Sequence, residues 1–304
     1  MDRQKVLAIV GPTGIGKTSL SVWLAKQLDG EIISCDSMQV YKKMDIGTAK
    51  VTREEMQGIH HELIDVQNYN EPYNVKVFQE KCRTAIEDVV KRGKFPILCG
   101  GTGLYLKAAL YDYEFQEENE DIAYTTFLNS KTNEELVAML KEKDEKALEK
   151  IHPNNRKRLI RALQICHSGT SKSEQEDKQQ HIPLYDVYFL GLDVNRDILH
   201  DRINKRVDIM FENGLVKEVK DLFTNPETWE YTSFQGIGYK EFKDYFLKEK
   251  SIDEVKTAIK THSRQYAKRQ YTWFKNQMPV HWFEAQNRDE IYSAVKEWLM
   301  DEDK

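Results

Sequence analysis

Apolar residues run unbroken from Val6 to Val10, and between Lys17 and Leu28 they fall four apart at Leu20, Leu24 and Leu28. The first pattern predicts a strand buried on both faces, the second a helix with one apolar stripe. A glycine-rich loop joins them, so the chain opens on a strand, loop and helix unit that starts a parallel sheet. The alternation then recurs. Residues 31–36 (EIISCD) predict a second strand, 73–92 a helix, 95–101 (FPILCGG) a third strand closing on glycines, and 187–194 (VYFLGLDV) a further buried strand. The expected fold class is α/β: the loop GPTGIGKT between the first strand and helix makes it a P-loop NTPase-like parallel sheet flanked by helices and carrying a helical insertion, with ligands gathered at the C-terminal ends of the strands.

The insertion is read from a change of pattern. Residues 112–149 are acidic and helix-prone, with Thr132 as N-cap and Glu135 in the capping-box position. The polar stretch 167–181 reads as a mobile loop. The expected organisation is a catalytic core from residues 1–111 and 182–304 and a helical insertion from 112–181. After the 187–194 strand the pattern is helical to the end, broken at Gly214-Leu215 and at 233–241 (SFQGIGYKE).

Composition narrows the classes. With 304 residues, 40% of them hydrophobic, the chain can bury a sizeable core. The four cysteines, Cys35, Cys82, Cys99 and Cys166, include no CxxC pair, which argues against a zinc site or a disulfide framework. No run reaches the ~18 apolar residues of a membrane span, and only DRQK follows Met1 before the first apolar strand, so a cytoplasmic chain with no membrane partner is expected. A net charge of -5 excludes a uniformly basic protein but conceals two basic patches. Between Glu149 and Glu174 no acidic residue interrupts Lys150, Arg156, Lys157, Arg158, Arg161 and Lys172. Residues 256–275 contain no acidic residue either. Drawn as a helix, that segment puts Lys260, Arg264, Lys268 and Lys275 within an arc of about 80°. Ile259, Tyr266, Gln270, Trp273 and Phe274 share the opposite side. The apolar and aromatic side is expected to pack, and the cations to contact phosphate.

The loop itself carries chemistry. Gly11, Gly16, Lys17 and Thr18 fit G-x-x-x-x-G-K-[ST] between a predicted strand and a predicted helix. Its backbone N–H groups and the helix N-terminus suit phosphate oxygens, Lys17 adds a charge, and Thr18 can ligate Mg²⁺. The motif identifies a polyphosphate, not a nucleotide: the third strand ends in CGGTGLY without the carboxylate of an NTPase, and no N-K-x-D reads guanine. Asp36, where the second strand leaves the sheet, is expected to be a general base, with a turn aspartate as the alternative.

Seven blocks now make the chain recognisable: GPTGIGKT, SCDSMQVYKKMDIGTAK, CGGTGLY, HPNNRKRLIRAL, RINKRVDIMFENGLVKEV, QGIGYKE and RQYAKRQYTWFK. In this order, from residue 5 to about 283, they closely resemble the bacterial tRNA dimethylallyltransferases, also called tRNA isopentenyltransferases. The resemblance implies transfer of a five-carbon prenyl group from dimethylallyl diphosphate to N6 of adenosine 37 in the tRNA anticodon stem-loop. On that reading Gly11, Pro12, Thr13, Gly14, Ile15, Gly16, Lys17 and Thr18 cradle the diphosphate with Mg²⁺, and Asp36 takes the N6 proton. It further implies that Asp36, Ser37, Met38 and Gln39 contact the target nucleotide, that Thr102 lies at the reaction centre, and that Lys157, Arg158, Leu159, Ile160 and Arg161 contact tRNA. Arg206 is expected either to reach the diphosphate or to pair on the surface with Asp208 or Glu212. Tyr124 stands near the place where relatives carry a tRNA-contacting arginine. Lys260, Arg264 and Lys268 complete the expected tRNA contacts, and a monomer is expected. A small-molecule kinase, a prenyltransferase of free adenine nucleotide and an RNA-binding regulator stay open as alternatives.

Overall fold

The computed structural model describes residues 3–115, 121–174 and 180–301. Residues 175–179 of the expected loop and 116–120 of the expected acidic segment lie outside the described residues. The chain divides into two compact units, Met1–Tyr111 with Pro183–Lys304, and Asp112–Ile182.

In the first unit, six strands lie parallel among the described residues: β1 (Lys5–Val10), β2 (Gly30–Ser34), β3 (His61–Glu62), β4 (Phe95–Gly100), β5 (Asp186–Asp193) and β6 (His281–Glu284). Their order is β3-β2-β4-β1-β5-β6. β1 therefore sits inside the sheet with a neighbour on each side, which is why its apolar run is continuous. Val6, Ala8 and Val10 join a core shared with Phe78, Leu106 and Phe274, from the helices Val75–Lys91, Gly103–Leu110 and Ile252–Gln277. Leu7 and Ile9 join the opposite core with Leu24, Ile291 and Val295, from the helices Lys17–Leu28 and Arg288–Met300. The alternation of strand side chains thus feeds two helical layers, one on each face.

The chain is not helical throughout after β5: His281–Glu284 adds β6 at the sheet edge. Its outer residues are exposed and its inner two half-buried, so it lacks the apolar run by which an inner strand is recognised. β3 has two residues, too short for any periodicity. Among the described residues no helix is long and apolar enough to cross a membrane.

The second unit packs the helices Ile122–Asn129, Asn133–Asp144 and Arg156–His167 around Leu128, Leu136, Leu140, Leu159 and Leu163, all fully buried. The expected capping box forms: Glu135 N–H donates to Thr132 Oγ1 at 3.2 Å, and Thr132 N–H donates to Glu135 Oε2 at 2.7 Å.

The glycine that closes β4 is fixed by close approach. A Cβ on Gly100 would lie 2.3 Å from the carbonyl oxygen of Cys35 and 2.5 Å from its carbonyl carbon, both of them backbone atoms. Neither can rotate away, so Gly100→Ala should cost about 1–3 kcal/mol through forced backbone movement, measured as a lower urea midpoint with an unchanged slope.

Candidate active site

The loop after β1 turns on three glycines with positive φ, Gly11 (140°), Gly14 (80°) and Gly16 (106°). Side-chain-bearing residues rarely adopt such values. Gly16 is the N-cap of the helix Lys17–Leu28, with no side-chain capping bond of its own. Lys17 folds back, its Nζ donating to the carbonyls of Gly11 at 2.9 Å and Pro12 at 2.8 Å. Burial, with the neighbouring Arg206 adding to it, lowers its pKa to about 8, while Cys99 and Asp36 oppose the shift. One amide is already committed: Thr13 N–H donates to Gln270 Oε1 at 2.9 Å, so not every N–H of the loop is available to phosphate.

Two cavities, of about 410 and 400 Å³, adjoin at this loop. Thr13, Asp36, Thr48, Arg206 and Tyr266 line both. Gly14, Gly16, Lys17 and Thr18 line only the 400 Å³ cavity, together with Arg202, a cation the sequence reading did not single out. The 410 Å³ cavity is walled by Met38, Ile203, Met210 and Ile237, with Ser37, Gln235, Lys240 and Arg269 among its polar side chains. This mixture suits a partly polar molecule.

Asp36 is both a turn residue and a site residue. Its Oδ1 accepts the N–H groups of Met38 at 2.8 Å and Gln39 at 3.3 Å, which fixes the carboxylate where the two cavities adjoin. Gln39 lines the phosphate-loop cavity and donates to the carbonyls of Thr48 and Ala49 at 3.3 and 3.2 Å. Thr102 accepts the Ser37 N–H at 3.3 Å, and it is absent from the residues lining either cavity. Arg206 points inward. Its guanidinium donates to Thr13 Oγ1 at 3.2 Å and to the Ala49 carbonyl at 3.3 Å, and burial lowers its pKa. The surface alternative falls away, because Asp208 pairs instead with Lys256 and Lys260, each at 2.7 Å.

The QGIGYKE block, for which the sequence supplied no role, builds a cavity wall. Gln235, Gly236, Ile237 and Lys240 line the 410 Å³ cavity. Tyr239 is fully buried and donates to Glu218 Oε1 at 2.7 Å. The Glu218 carboxylate also accepts the N–H groups of Asp45, Ile46 and Gly47 at 2.9, 2.7 and 3.0 Å. One carboxylate thereby pins the 45–49 loop, which supplies Gly47, Thr48 and Ala49 to the same cavity. A Cβ on Gly47 would lie 2.6 Å from the Tyr239 ring, and one on Gly238 2.8 Å from the Gly47 carbonyl oxygen. The paired glycines of the block were the available signal. Glu218 gave none, since a lone acidic residue in a helix reads as solvated.

The expected RNA contacts divide. Lys157, Arg158 and Arg161 are exposed, whereas Leu159 is fully buried in the insertion core and Ile160 half-buried against it. Leu159 therefore has no surface to offer RNA. Tyr124 is stacked on His167 with ring centroids 3.9 Å apart and is half-buried. The cationic face expected of residues 256–275 is also split: Lys260 is bound to Asp208, and Arg264 to Asn204 and Thr261. These two pack against the neighbouring helix Arg196–Glu212, while Lys268 is exposed.

The fold and the site define a P-loop-like α/β enzyme with two adjoining cavities. The family model described as IPP transferase matches residues 39–277, and the chain belongs to that family. The chain is 48% identical over 301 residues to the tRNA dimethylallyltransferase of Bacillus anthracis, covering 97% of this chain and 96% of the relative. A full-length tRNA isopentenylpyrophosphate transferase from Bacillus halodurans superposes with a TM-score of 0.75 at 42% identity, covering 98% of this chain and 97% of that one. A eukaryotic dimethylallyltransferase described as acting on tRNA gives 0.81 at 32% identity, covering 98% and 78%.

The Lys17 shift sets a pH dependence. An anion bound beside Lys17 raises its pKa, so binding takes up a proton above about pH 8 and weakens as the pH rises through that value. Relative to Lys17→Met, which carries no such proton, the affinity for inorganic diphosphate should fall about tenfold per pH unit above that point, measured by calorimetry.

Proposed function

We propose that the protein transfers the dimethylallyl group of dimethylallyl diphosphate to N6 of adenosine 37 in tRNA and releases diphosphate. The observation that carries this reading is the place of Asp36, which lines both cavities. One cavity suits a diphosphate and the other a heterocyclic base, and a carboxylate common to both meets a donor and an acceptor at once. The loop N–H groups still open to it, Lys17 and Arg206 hold the leaving diphosphate, where negative charge grows as the bond breaks. Asp36 orients N6 and receives its proton.

Mg²⁺ fits this site. The Thr18 hydroxyl and the Glu55 carboxylate line the phosphate-loop cavity, hard oxygen donors of the kind that bind Mg²⁺ together with phosphate oxygens. When bound, the ion neutralises charge on the departing diphosphate. Thr18 is the residue of the loop that would hold it.

The adenine must leave the anticodon loop to enter its cavity, so the enzyme needs a grip on the RNA backbone. Lys157, Arg158 and Arg161 on the insertion and Lys268 on the core supply it. Lys260 and Arg264 are left out because they are half-buried against the helix Arg196–Glu212, whereas the other four are exposed.

The test is transfer of radiolabel from dimethylallyl diphosphate or, in parallel, ATP into an unmodified anticodon stem-loop carrying A37. Label should reach the RNA from the prenyl donor only, and Asp36→Asn should slow it by about 10²–10⁴-fold. ATP turnover with unlabelled RNA would instead favour a kinase. Changing Lys157 and Arg158 together to Ala should raise KM for RNA, leave kcat unchanged and flatten the log-log salt dependence of binding by roughly 1–2 units. An unaltered salt dependence would remove the insertion patch from the interface.

A further inference from the structure

In the transfer proposed above, on which this inference rests, the C1–O bond of the prenyl donor breaks with its electron pair leaving on the diphosphate oxygen. The N6 lone pair forms the new bond to C1, and the N6 proton passes to Asp36. Wherever bond breaking runs ahead of bond making, positive charge spreads over the allylic carbons. That charge develops where the two cavities adjoin, so the side chains there decide how it is stabilised. Five residues line both cavities: Thr13, Asp36, Thr48, Arg206 and Tyr266. Arg206 is itself a cation, Asp36 is engaged with the acceptor proton, and the two threonine hydroxyls are nucleophiles that a reactive allylic carbon could consume. An aromatic face attracts a cation without offering it a lone pair to capture. Among the described residues, Tyr266 is the only Phe, Tyr or Trp that lines either cavity.

We propose that the ring of Tyr266 faces the allylic carbons in the transition state and stabilises their positive charge. Three further observations support it. The Arg269 guanidinium carbon lies over the ring, 5.8 Å from its centroid, so that face is taken and the opposite one is the face the allylic carbons would meet. Burial pushes the Tyr266 hydroxyl up to about 12, so it is the neutral phenol at any working pH, and the side chains of Thr102 and Gln270 act on it from beside. Gln270 is itself held at both ends, by Thr13 N–H and the Gly101 carbonyl. Thr102 and Gln270 are then positioning residues for the ring, which gives Thr102 a link to the chemistry although it lines neither cavity.

The test grades the ring's electrons without changing its shape. Tyr266 is replaced by Phe and by mono-, di- and trifluorinated phenylalanines. Single-turnover transfer into the anticodon stem-loop is measured for each, alongside the affinity for dimethylallyl diphosphate. Tyr266→Phe should stay within a few-fold of wild type. The rate should then fall stepwise with each fluorine, roughly 30-fold across the series for a desolvated cation–π contact, with donor affinity unchanged. Equal rates along the series would overturn the proposal and leave Tyr266 as a cavity wall. Failure of the wild-type chain to transfer label at all would overturn the underlying function, and this inference with it. Thr102→Val should slow the chain that carries Tyr266 and have little further effect on the Phe series, which lacks the hydroxyl that Thr102 acts on; equal slowing in both would separate Thr102 from the ring.

Discussion

The carboxamide of Gln270 accepts the N–H of Thr13 and donates to the carbonyl of Gly101, each at 2.9 Å, and so joins the long C-terminal helix, the phosphate loop and the end of β4 through one buried group. The neighbouring glycines follow from it. A Cβ on Gly101 would lie 2.0 Å from the Gln270 nitrogen, and one on Gly103 2.1 Å from the Trp273 ring one turn along. The CGGTG run is therefore the footprint of the helix seated on the sheet. Tyr266, one turn earlier, comes to the meeting of the two cavities by the same seating. Leaving either end of a buried amide unpaired costs about 1–3 kcal/mol, which makes this contact a strict one.

Around that contact the site holds its cations at a disadvantage. Burial lowers the pKa of both Lys17 and Arg206; Lys17 donates to two backbone carbonyls and Arg206 to one carbonyl and the Thr13 hydroxyl. Cations desolvated in this way gain most from an incoming anion, because the charge–charge attraction acts where little water screens it. The negative partners are distributed differently. Asp36 spends one oxygen on its own turn, and Glu218 spends its carboxylate on three backbone N–H groups and a phenol. Glu218 holds the scaffold and Asp36 keeps one oxygen for the site, while the cations wait for the ligand.

The parts of this arrangement that were legible in the sequence are the local ones. The strands β1, β2, β4 and β5 and the helix Lys17–Leu28 declared themselves through uninterrupted apolar runs or a clear helical period. The phosphate loop did so because its glycines, lysine and threonine are contiguous. The inward direction of Arg206 was not legible, since a helical arginine two residues from an aspartate has two plausible partners and only packing chooses between them. The same holds for Lys260 and Arg264: a helical wheel shows which residues share a face but not that a second helix with Asp208 and Asn204 covers it. Leu159 was misjudged for a related reason, because a stretch read as basic still contains the apolar positions by which its helix packs. Glu218 and Tyr239 meet across residues remote in sequence, and no local pattern encodes such a meeting.

The strand order also has a temporal meaning. The phosphate loop lies near the start of the chain, but β1 finds its neighbour β5 only after residue 186, and Arg206, Tyr266 and Gln270 come later still. During synthesis the inner strand of the sheet therefore waits with one edge unpaired while the whole insertion is made, and such exposed edges invite non-native pairing. The insertion, with its own buried leucines, can compact in that interval without help from the sheet. The last long helix then places its amide between the phosphate loop and β4, so a ribosome-bound fragment ending before residue 270 carries the phosphate motif without the assembled site.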